Sequence, residues 1–293
     1  MRGIVLAGGS GSRLFPTSFV SNKHLLPIFD KPMVYYPIAT LMTAGIRDIA
    51  IISNPNSINL FTELLGDGSK FGINLRYLTQ NRPEGIAQAF LIAEKFIAND
   101  RSALILGDNL FHGSGLGRDL SSNSLIEGAK IFAYPVSNAI DYGVVELDDL
   151  GKIMSIEEKP KSPKSNLAVT GIYFYDNTVV ERVKEIAPSP RGELEITSLN
   201  ESYNSDHKLK VKILGRGTTW LDAGTPKQLN DAGNYVRVMQ ERQGSYIACL
   251  EEISLIQNWI SDKELSISIQ KHKNSDYGDY LGKLAIRLNY DNK

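Results

Sequence analysis

The chain of 293 residues contains little cysteine, no long apolar run and no excess of charge of either sign. Its only cysteine, Cys249, excludes an internal disulfide, a CxxC redox pair and a cysteine-based zinc site. No stretch approaches the roughly 18 consecutive apolar residues of a membrane-spanning helix, and the apolar run 3–7 is too short for a signal peptide. We therefore expect a cytoplasmic protein that has no membrane partner.

The charges also exclude a broad nucleic-acid surface. Lys and Arg together number 32 and Asp and Glu 33, so there is no general basic field to hold DNA or RNA, and any anion must be bound locally. The four histidines show neither HExxH nor paired spacing, so a metal-hydrolase or a catalytic triad has no support. These residues are His24, His112, His207 and His272.

Buried strands alternate with helical patterns in the first half of the chain. Apolar runs rich in β-branched residues predict strands at 3–7, 48–53, 74–79, 102–107 and 129–136. The segment 85–99 places Ile86, Phe90 and Ile97 on one helical face, which predicts a helix. Together they predict an α/β fold in which helices cover both faces of a largely parallel, Rossmann-like sheet.

The second half has a different pattern. Strands predicted at 142–147, 152–157, 168–175, 208–214 and 218–221 lack long helices between them, which indicates a mixed or antiparallel part of the sheet. After Thr225 the pattern predicts helices at 227–242, 254–261 and 277–288. We predict an α/β domain over residues 1–242 and a helical extension over residues 243–293 that packs on it and takes part in subunit contacts.

A glycine-rich loop follows the first predicted strand. Gly8, Gly9 and Gly11 would lie at the carboxyl edge of the sheet, where backbone N–H groups can approach a phosphate. Ser12-Arg13 stands where a P-loop has Lys-Ser/Thr, and Leu14 stands where the dinucleotide fingerprint has glycine, so both patterns fail. The glycines alone would also fit an ordinary tight turn, with Arg13 as a surface charge. The loop extends to a second cation, Lys23, and suits a triphosphate.

Two aspartates follow predicted strands and are candidates for a metal site. Asp108 comes directly after the strand 102–107, at the sheet edge where ligands bind in open α/β folds. Mg²⁺ prefers one or two carboxylates together with substrate phosphates, and Asp222 is the second carboxylate best placed by position. A turn at Asp108 and a helix cap at Asp222 are the alternative interpretations.

Further polar residues follow other strands. Gln80 could offer both a donor and an acceptor to a nucleotide base, and Gly85 could let a base or ribose approach closely. The charged cluster 157–160 fits either a binding site or a solvated strand end.

Seven motifs in order resemble those of the glucose-1-phosphate thymidylyltransferase family, over nearly the whole chain. They are Leu6-Ala7-Gly8-Gly9-Ser10-Gly11-Ser12-Arg13-Leu14, Asp30-Lys31-Pro32-Met33, Gly85-Ile86-Ala87-Gln88-Ala89-Phe90, Gly107-Asp108-Asn109, Glu157-Glu158-Lys159-Pro160, Arg191-Gly192-Glu193-Leu194-Glu195-Ile196-Thr197 and Trp220-Leu221-Asp222. The resemblance implies a Rossmann-like nucleotidyltransferase fold. It also implies a Mg²⁺-dependent reaction of dTTP with glucose 1-phosphate that yields dTDP-glucose and pyrophosphate, the first step of a dTDP-rhamnose type of route.

The resemblance also implies roles for individual residues. Asp108 and Asp222 would hold Mg²⁺, and Arg13, Lys23 and Lys159 would share the catalytic work with them. The substrate-binding set it implies is Gly8, Gly9, Gly11, Ser12, Arg13, Lys23, Gln80, Gly85, Asp108, Asn109, Gly143, Glu158, Lys159 and Val169. Two positions depart from the pattern of many relatives. Ser12 replaces threonine and keeps the hydroxyl, while His24 replaces glutamine and would place an imidazole beside the phosphates.

Alternatives remain at the level of the sequence. The same phosphate-binding residues would serve UTP or another nucleotide, and a nucleotide-sugar sensor without activity would keep the fold. The lack of hexapeptide repeats disfavours an appended acetyltransferase. The resemblance further implies a homotetramer that is inhibited by a dTDP-sugar end product.

Overall fold

A computed structural model describes residues 1–291 of the chain. Its strands are β1 Arg2–Leu6, β2 Pro27–Ile28, β3 Lys31–Pro32, β4 Asp48–Ser53, β5 Asn74–Thr79, β6 Ser102–Leu106, β7 Asn109–Gly113, β8 Ala129–Pro135, β9 Gly143–Leu147, β10 Ile153–Glu158, β11 Leu167–Tyr175, β12 Leu209–Ile213 and β13 Thr218–Asp222. Its helices are α1 Tyr35–Thr43, α2 Ile58–Leu65, α3 Gln88–Ile92, α4 Glu94–Ile97, α5 Leu116–Ser121, α6 Val179–Glu185, α7 Ile196–Ser205, α8 Pro226–Gln243, α9 Leu250–Ile256, α10 Asp262–Lys271 and α11 Asp276–Asp291.

One mixed sheet forms the centre of the fold. Its main order is β10-β9-β11-β6-β1-β4-β5, with β8 paired to β11 and β12 paired to β8. The strands β6, β1, β4 and β5 are mutually parallel, whereas β11 runs antiparallel to β6 and β8. The mixed, Rossmann-like sheet predicted from the sequence is confirmed.

The central strands are covered on both faces because they are apolar on both sides. In β1, Ile4 and Val5 are fully buried, and alternation along the strand sends them into different cores. Helices α1, α2, α5 and α9 contribute to the core of Val5, and α3, α6 and α7 contribute to that of Ile4. Burial on both sides explains why these strands read as continuous apolar runs rather than as alternating ones.

Two predicted helices differ from the structure. The helix predicted at 85–99 is two short helices, α3 and α4, which break at Ala93, and Gly85 lies outside them with a φ of 104°. The helix predicted at 254–261 is α9, which ends at Ile256. A separate helix, α10, begins after Ser261, whose side chain forms a capping box with Glu264. The Ser-x-x-Glu pattern was visible in the sequence and marks such a start.

The end of the described chain is helical. Helix α8 begins at Pro226 after Thr225, whose hydroxyl accepts a hydrogen bond from the Gln228 N–H, and it ends at Gly244, which has a φ of 65°. This helix packs on the segment after the glycine loop, while α9, α10 and α11 share a small core of their own around Cys249, Leu265 and Leu281. The division at residue 242 stays a prediction. In residues 1–291 no helix is long and apolar enough to cross a bilayer.

Candidate active site

The glycine loop and the turn that holds Asp108 meet at the carboxyl edge of the sheet. Strands β1 and β6 are parallel and in register, so that Leu6 lies beside Leu106. The Gly107 N–H donates to the Leu6 carbonyl oxygen at 2.9 Å. The main chain that follows each strand therefore emerges at the same place, as expected for a ligand site in an open α/β sheet.

Asp108 and Asp222 are brought together by a two-stranded ribbon. Strand β13 pairs antiparallel with β7, which places Asp222 opposite Asn109, and the Ala223 N–H donates to the Asp108 carbonyl oxygen at 2.9 Å. Asp108 lies in the turn between β6 and β7. The sequence allowed either a turn or a metal site at Asp108. The structure has the turn, and it is this turn that positions the Asp108 carboxylate.

The two carboxylates influence each other electrically. Burial raises the pKa of Asp222 to about 6, aided by the negative charge of Asp108 and opposed by Lys23 and Arg13. Burial acts in the same direction on Asp108, but an ion pair with Lys23 and a hydrogen bond from Asn109 hold its pKa well below the usual range. The pair therefore consists of one firmly ionised carboxylate and one that gains a proton in mild acid.

Lys23 lies below the glycine loop and reaches the acidic pair. Its Nζ atom contacts the Asp108 carboxylate, and a Cβ placed on Gly9 would lie 3.6 Å from its Cε atom. Gly11 has a φ of 66°, which favours glycine, and its carbonyl oxygen accepts from the Ser18 hydroxyl at 2.6 Å. Ser12 follows in an exposed single helical turn. The hydrogen bond from Ser18 thus fixes the loop, which packs against Lys23.

Arg13 lies against the acidic pair. A Cβ placed on Gly224 would lie 2.8 Å from the Arg13 Nη2 atom and 3.0 Å from the Asp222 Oδ1 atom. Glycine at 224 therefore leaves room for the guanidinium beside the carboxylate. Arg13 also lines the cavity described next.

A cavity of about 200 Å³ joins the acidic pair to the residues predicted to hold the sugar phosphate. Of the predicted site residues, its lining includes Arg13, Asp108, Asn109, Gly143, Glu158, Lys159, Val169 and Asp222. Additional lining residues that carried no predicted role are Ile86, Leu106, Asp141, Tyr142, Gly171, Tyr173, Ile196, Thr197 and Trp220. Thr197 and Trp220 lie within motifs that had been recognised, so the motifs were a signal for them, whereas Asp141 and Tyr142 had none.

Lys159 enters this cavity from an unusual backbone conformation. Its φ is 45°, a region that costs a residue with a side chain roughly 1–2 kcal/mol, and its N–H donates to the Tyr142 carbonyl oxygen at 3.0 Å. The neighbouring Glu158 accepts a hydrogen bond of 2.8 Å from the Thr197 hydroxyl. Glu158 is thus fixed from helix α7, while the Lys159 ammonium remains half-exposed beside it, 3.7 Å away.

Asn109 lines the cavity, but its side-chain amide is hydrogen-bonded to other groups of the protein. Its Oδ1 atom accepts from Trp220 Nε1 at 2.6 Å and from the Gly171 N–H at 3.1 Å, and its Nδ2 atom donates to Asp108 at 3.0 Å. Its buried amide therefore connects three strands to the acidic turn. This geometry indicates that Asn109 orients Asp108.

Gln80 and Gly85 lie at the other end of the glycine loop and outside the cavity. Gln80 follows β5, is only 4% exposed, and packs its Oε1 atom on Gly8. A Cβ on Gly85 would overlap the backbone of Leu194, whose N–H donates to the Glu84 carbonyl oxygen at 2.7 Å. Close packing against Leu194 therefore requires glycine at position 85, independently of the base contact that the sequence suggested.

His24 is not beside open solvent in a phosphate channel. It is 2% exposed, its Nδ1 atom lies 2.7 Å from Asn22 Oδ1, and a Cβ on Gly107 would lie 2.6 Å from its ring. Burial, together with the charge of Lys23, lowers the pKa of His24 to about 3. This imidazole is neutral at physiological pH and acts as packing behind the Asp108 turn.

Comparisons with known proteins agree with this geometry. Residues 2–238 match the model of the Nucleotidyl transferase family. The glucose-1-phosphate thymidylyltransferase of Mycolicibacterium smegmatis is 51% identical over 98% of this chain and 100% of its own length. That of Neisseria meningitidis is 50% identical over 97% of this chain and 99% of its own length. The chain belongs to the glucose-1-phosphate thymidylyltransferase family. It is therefore a nucleotidyltransferase enzyme.

Two solved structures share the fold of this chain. A Bacillus anthracis protein assigned to this enzyme class and crystallised with a sucrose superposes with a TM-score of 0.75 at 42% identity, over 81% of this chain and 95% of its own. A UDP-glucose pyrophosphorylase complexed with UDP-glucose superposes with a TM-score of 0.70 at 24% identity, over 81% of this chain and 98% of its own. The second likeness concerns the fold alone.

Proposed function

We propose that this enzyme transfers the thymidylyl group of dTTP to glucose 1-phosphate and releases pyrophosphate. The observation that carries the proposal is that the Asp108 and Asp222 pair, Arg13 and Lys159 all line one cavity. Such a cavity suits two anions that must be brought into contact. An oxygen of the sugar phosphate attacks the α-phosphorus, and the bond from that phosphorus to the oxygen bridging to the β-phosphate breaks, so that its electron pair leaves with pyrophosphate.

Mg²⁺ is the cofactor that we propose, held by Asp108 and Asp222. The residues fit such an ion, because burial and the charge of Asp108 raise the pKa of Asp222 to about 6, and a hard divalent cation relieves this repulsion. Within residues 1–291 no group of three or more potential ligand side chains gathers, so substrate phosphates would complete the shell. When bound, the ion supplies charge neutralisation at the phosphate oxygens.

The side chains of the enzyme divide the remaining work by position. Lys159 binds the sugar phosphate and lowers its repulsion from the nucleotide. Arg13, Lys23 and the N–H groups of the loop from Gly8 to Ser12 hold the triphosphate and stabilise the charge that builds on the departing pyrophosphate. Gly143, Glu158 and Val169 hold the sugar, and Gln80 contacts the base. This mechanism needs no protein nucleophile.

A panel of nucleotides and sugar 1-phosphates, assayed for magnesium-dependent release of pyrophosphate, tests this proposal. We expect the pair of dTTP and glucose 1-phosphate to give the largest kcat/KM. A preference for UTP or for another sugar phosphate would reassign the substrates within the same class. A purified protein without turnover for any pair would contradict the proposal and would favour the alternative of a nucleotide-sugar sensor.

The cellular role that we propose follows from this reaction. The enzyme would act in the cytoplasm and catalyse the first step of a dTDP-rhamnose type of route, and a dTDP-sugar end product would inhibit it. We also propose a homotetramer. The C-terminal helices carry the exposed apolar side chains Ile256, Ile267 and Ile286, which suit subunit contacts. Adding dTDP-rhamnose to the panel tests the inhibition, and a native mass that shows only monomer at working concentration would refute the assembly.

A further inference from the structure

A chain of three side chains runs from the protein surface to the glycine loop. Gln88 Nε2 donates to Glu84 Oε2 at 2.7 Å, and Gln80 Nε2 donates to Gln88 Oε1 at 2.7 Å. The backbone N–H of Glu84 donates to the same Gln88 Oε1 atom at 3.2 Å. We call these three residues the amide relay.

The direction of the amide relay is set by Glu84. A carboxylate only accepts hydrogen bonds, and a backbone N–H only donates them. The Glu84 carboxylate accepts from the Gln88 nitrogen, and the Glu84 N–H donates to the Gln88 oxygen. Turning that amide around would break both bonds. Gln88 must therefore present its oxygen to Gln80, which in turn must present its nitrogen to Gln88.

The far end of Gln80 is fixed as a consequence. Its oxygen points away from Gln88 and lies on Gly8, where a Cβ atom would overlap it. The backbone of Gln80 is held as well, because its N–H donates to the Ser53 carbonyl oxygen at 2.8 Å. The side chain is nearly fully buried, so water does not supply a replacement partner that would let the amide rotate freely.

We propose that Glu84, acting through Gln88, fixes the orientation of the Gln80 amide and thereby selects the pyrimidine base of the nucleotide. The inference rests on the proposed function, in which Gln80 contacts the base. An oxygen held in place accepts from the N3–H group of thymine or uracil. Cytosine carries a lone pair at N3, which would face the Gln80 oxygen without a hydrogen bond.

The amide relay acts by restricting the Gln80 amide to one orientation. An unconstrained glutamine serves either base, because rotating its amide exchanges the donor for the acceptor. Glu84 and Gln88 are therefore positioning residues, and Gln80 is the residue that touches the nucleotide. The 5-methyl group that distinguishes thymine from uracil makes no hydrogen bond, so the relay discriminates against cytosine alone.

The test compares dTTP, dUTP and dCTP in the wild type and in Glu84→Gln. The new amide can donate to Gln88 or accept from it, so only the backbone N–H of residue 84 still favours the original direction of the relay. We expect the ratio of kcat/KM for dTTP over dCTP to fall roughly tenfold or more, mainly through KM, while the ratio for dTTP over dUTP stays constant. Glu84→Asp, which keeps an acceptor, should restore part of the discrimination.

Glu94→Gln is the matched control, because it removes the same charge at the start of α4, outside the amide relay. The Glu94 carboxylate pairs with Lys184 instead. It should leave both ratios unchanged. An equal loss for all three nucleotides in Glu84→Gln would show a merely structural role, and an unchanged ratio for dTTP over dCTP would also overturn the proposal. Equilibrium binding of dTTP and dCTP to the same variants decides the question even if the panel of sugars yields no turnover, so the two proposals fail separately.

Discussion

The backbone N–H of Ala223 donates a hydrogen bond of 2.9 Å to the carbonyl oxygen of Asp108. This bond closes the ribbon of β7 and β13 at the end where Asp222 and Asp108 face each other. The two carboxylates thus owe their proximity to the backbone, which holds them together against their mutual repulsion.

The first prediction concerns stability in the absence of metal. The raised pKa of Asp222, about 6 against an ordinary 3.8, means that the folded protein binds more protons than the unfolded one between these values, so its stability falls as the pH rises through this window. Asp222→Asn should therefore raise the free energy of unfolding at pH 7.5 by about 3 kcal/mol. Urea denaturation in EDTA measures this, and the gain should vanish below about pH 4. A variant that is less stable than wild type at pH 7.5 would contradict the claim that the ionised Asp222 destabilises the metal-free protein.

The second prediction concerns the metal. Asp108→Asn and Asp222→Asn should each lower kcat/KM by at least ~100-fold and weaken activation by Mg²⁺, because each removes a charged ligand worth several kcal/mol of charge stabilisation. Steady-state release of pyrophosphate over a range of Mg²⁺ concentrations measures this. Asp141→Asn, an exposed acid on the same cavity, is the control and should keep the wild-type metal titration. A titration that is the same in all four proteins would exclude the site.

The third prediction concerns Arg13. Arg13→Ala should lower kcat by roughly 100- to 1,000-fold, the effect of removing one donor to a transition-state oxyanion, with a smaller change in KM. Arg237→Ala, which removes an exposed cation paired with Glu241, should have no such effect. Single-turnover kinetics separate the chemical step from release of the product. Near-normal turnover in Arg13→Ala would rule out its role at the leaving group.

The fourth prediction concerns His24, whose burial lowers its pKa to about 3. Its folded pKa lies below the unfolded value of 6.5, so stability is lost as the pH falls below 6.5 and only the unfolded chain takes up the proton. His24→Gln should therefore lose less stability on acidification, by up to about 1.4 kcal/mol per pH unit between pH 6 and 4. Thermal unfolding at a series of pH values measures this. The shape of the kcat profile above pH 6 should be the same in both proteins, and a shifted profile would give the imidazole a catalytic role.

The sequence predicts the strands and the position of Asp108 well, because both depend on local order. A buried parallel strand is a continuous apolar run, and a carboxylate directly after it must lie at the sheet edge. The pairing of β13 with β7 could not be read in the same way. Nothing in the residues 218–221 shows which distant strand they join.

Other features of the site depend on long-range contacts as well. The sequence predicted that the His24 imidazole lies beside the phosphates, but its burial depends on Gly107, which permits the ring to pack where a side chain would clash. Gly85 lies outside the predicted helix 85–99 because its φ of 104° and its close approach to the backbone of Leu194, which belongs to a separate motif, do not fit a helix. Patterns in the sequence identify the members of such pairs without revealing the contact between them.

The ribbon of β7 and β13 also has a consequence for how the protein is made. Among the described residues β13 is the last strand, so a nascent or prematurely terminated chain can present the nucleotide loop before Asp222 exists to complete the acidic pair. On the proposed role of Asp222 in holding Mg²⁺, we expect such a fragment to be unable to consume nucleotide, however well its first strands have formed. We therefore expect enzymatic activity to appear only once β13 has been synthesised and has paired with β7.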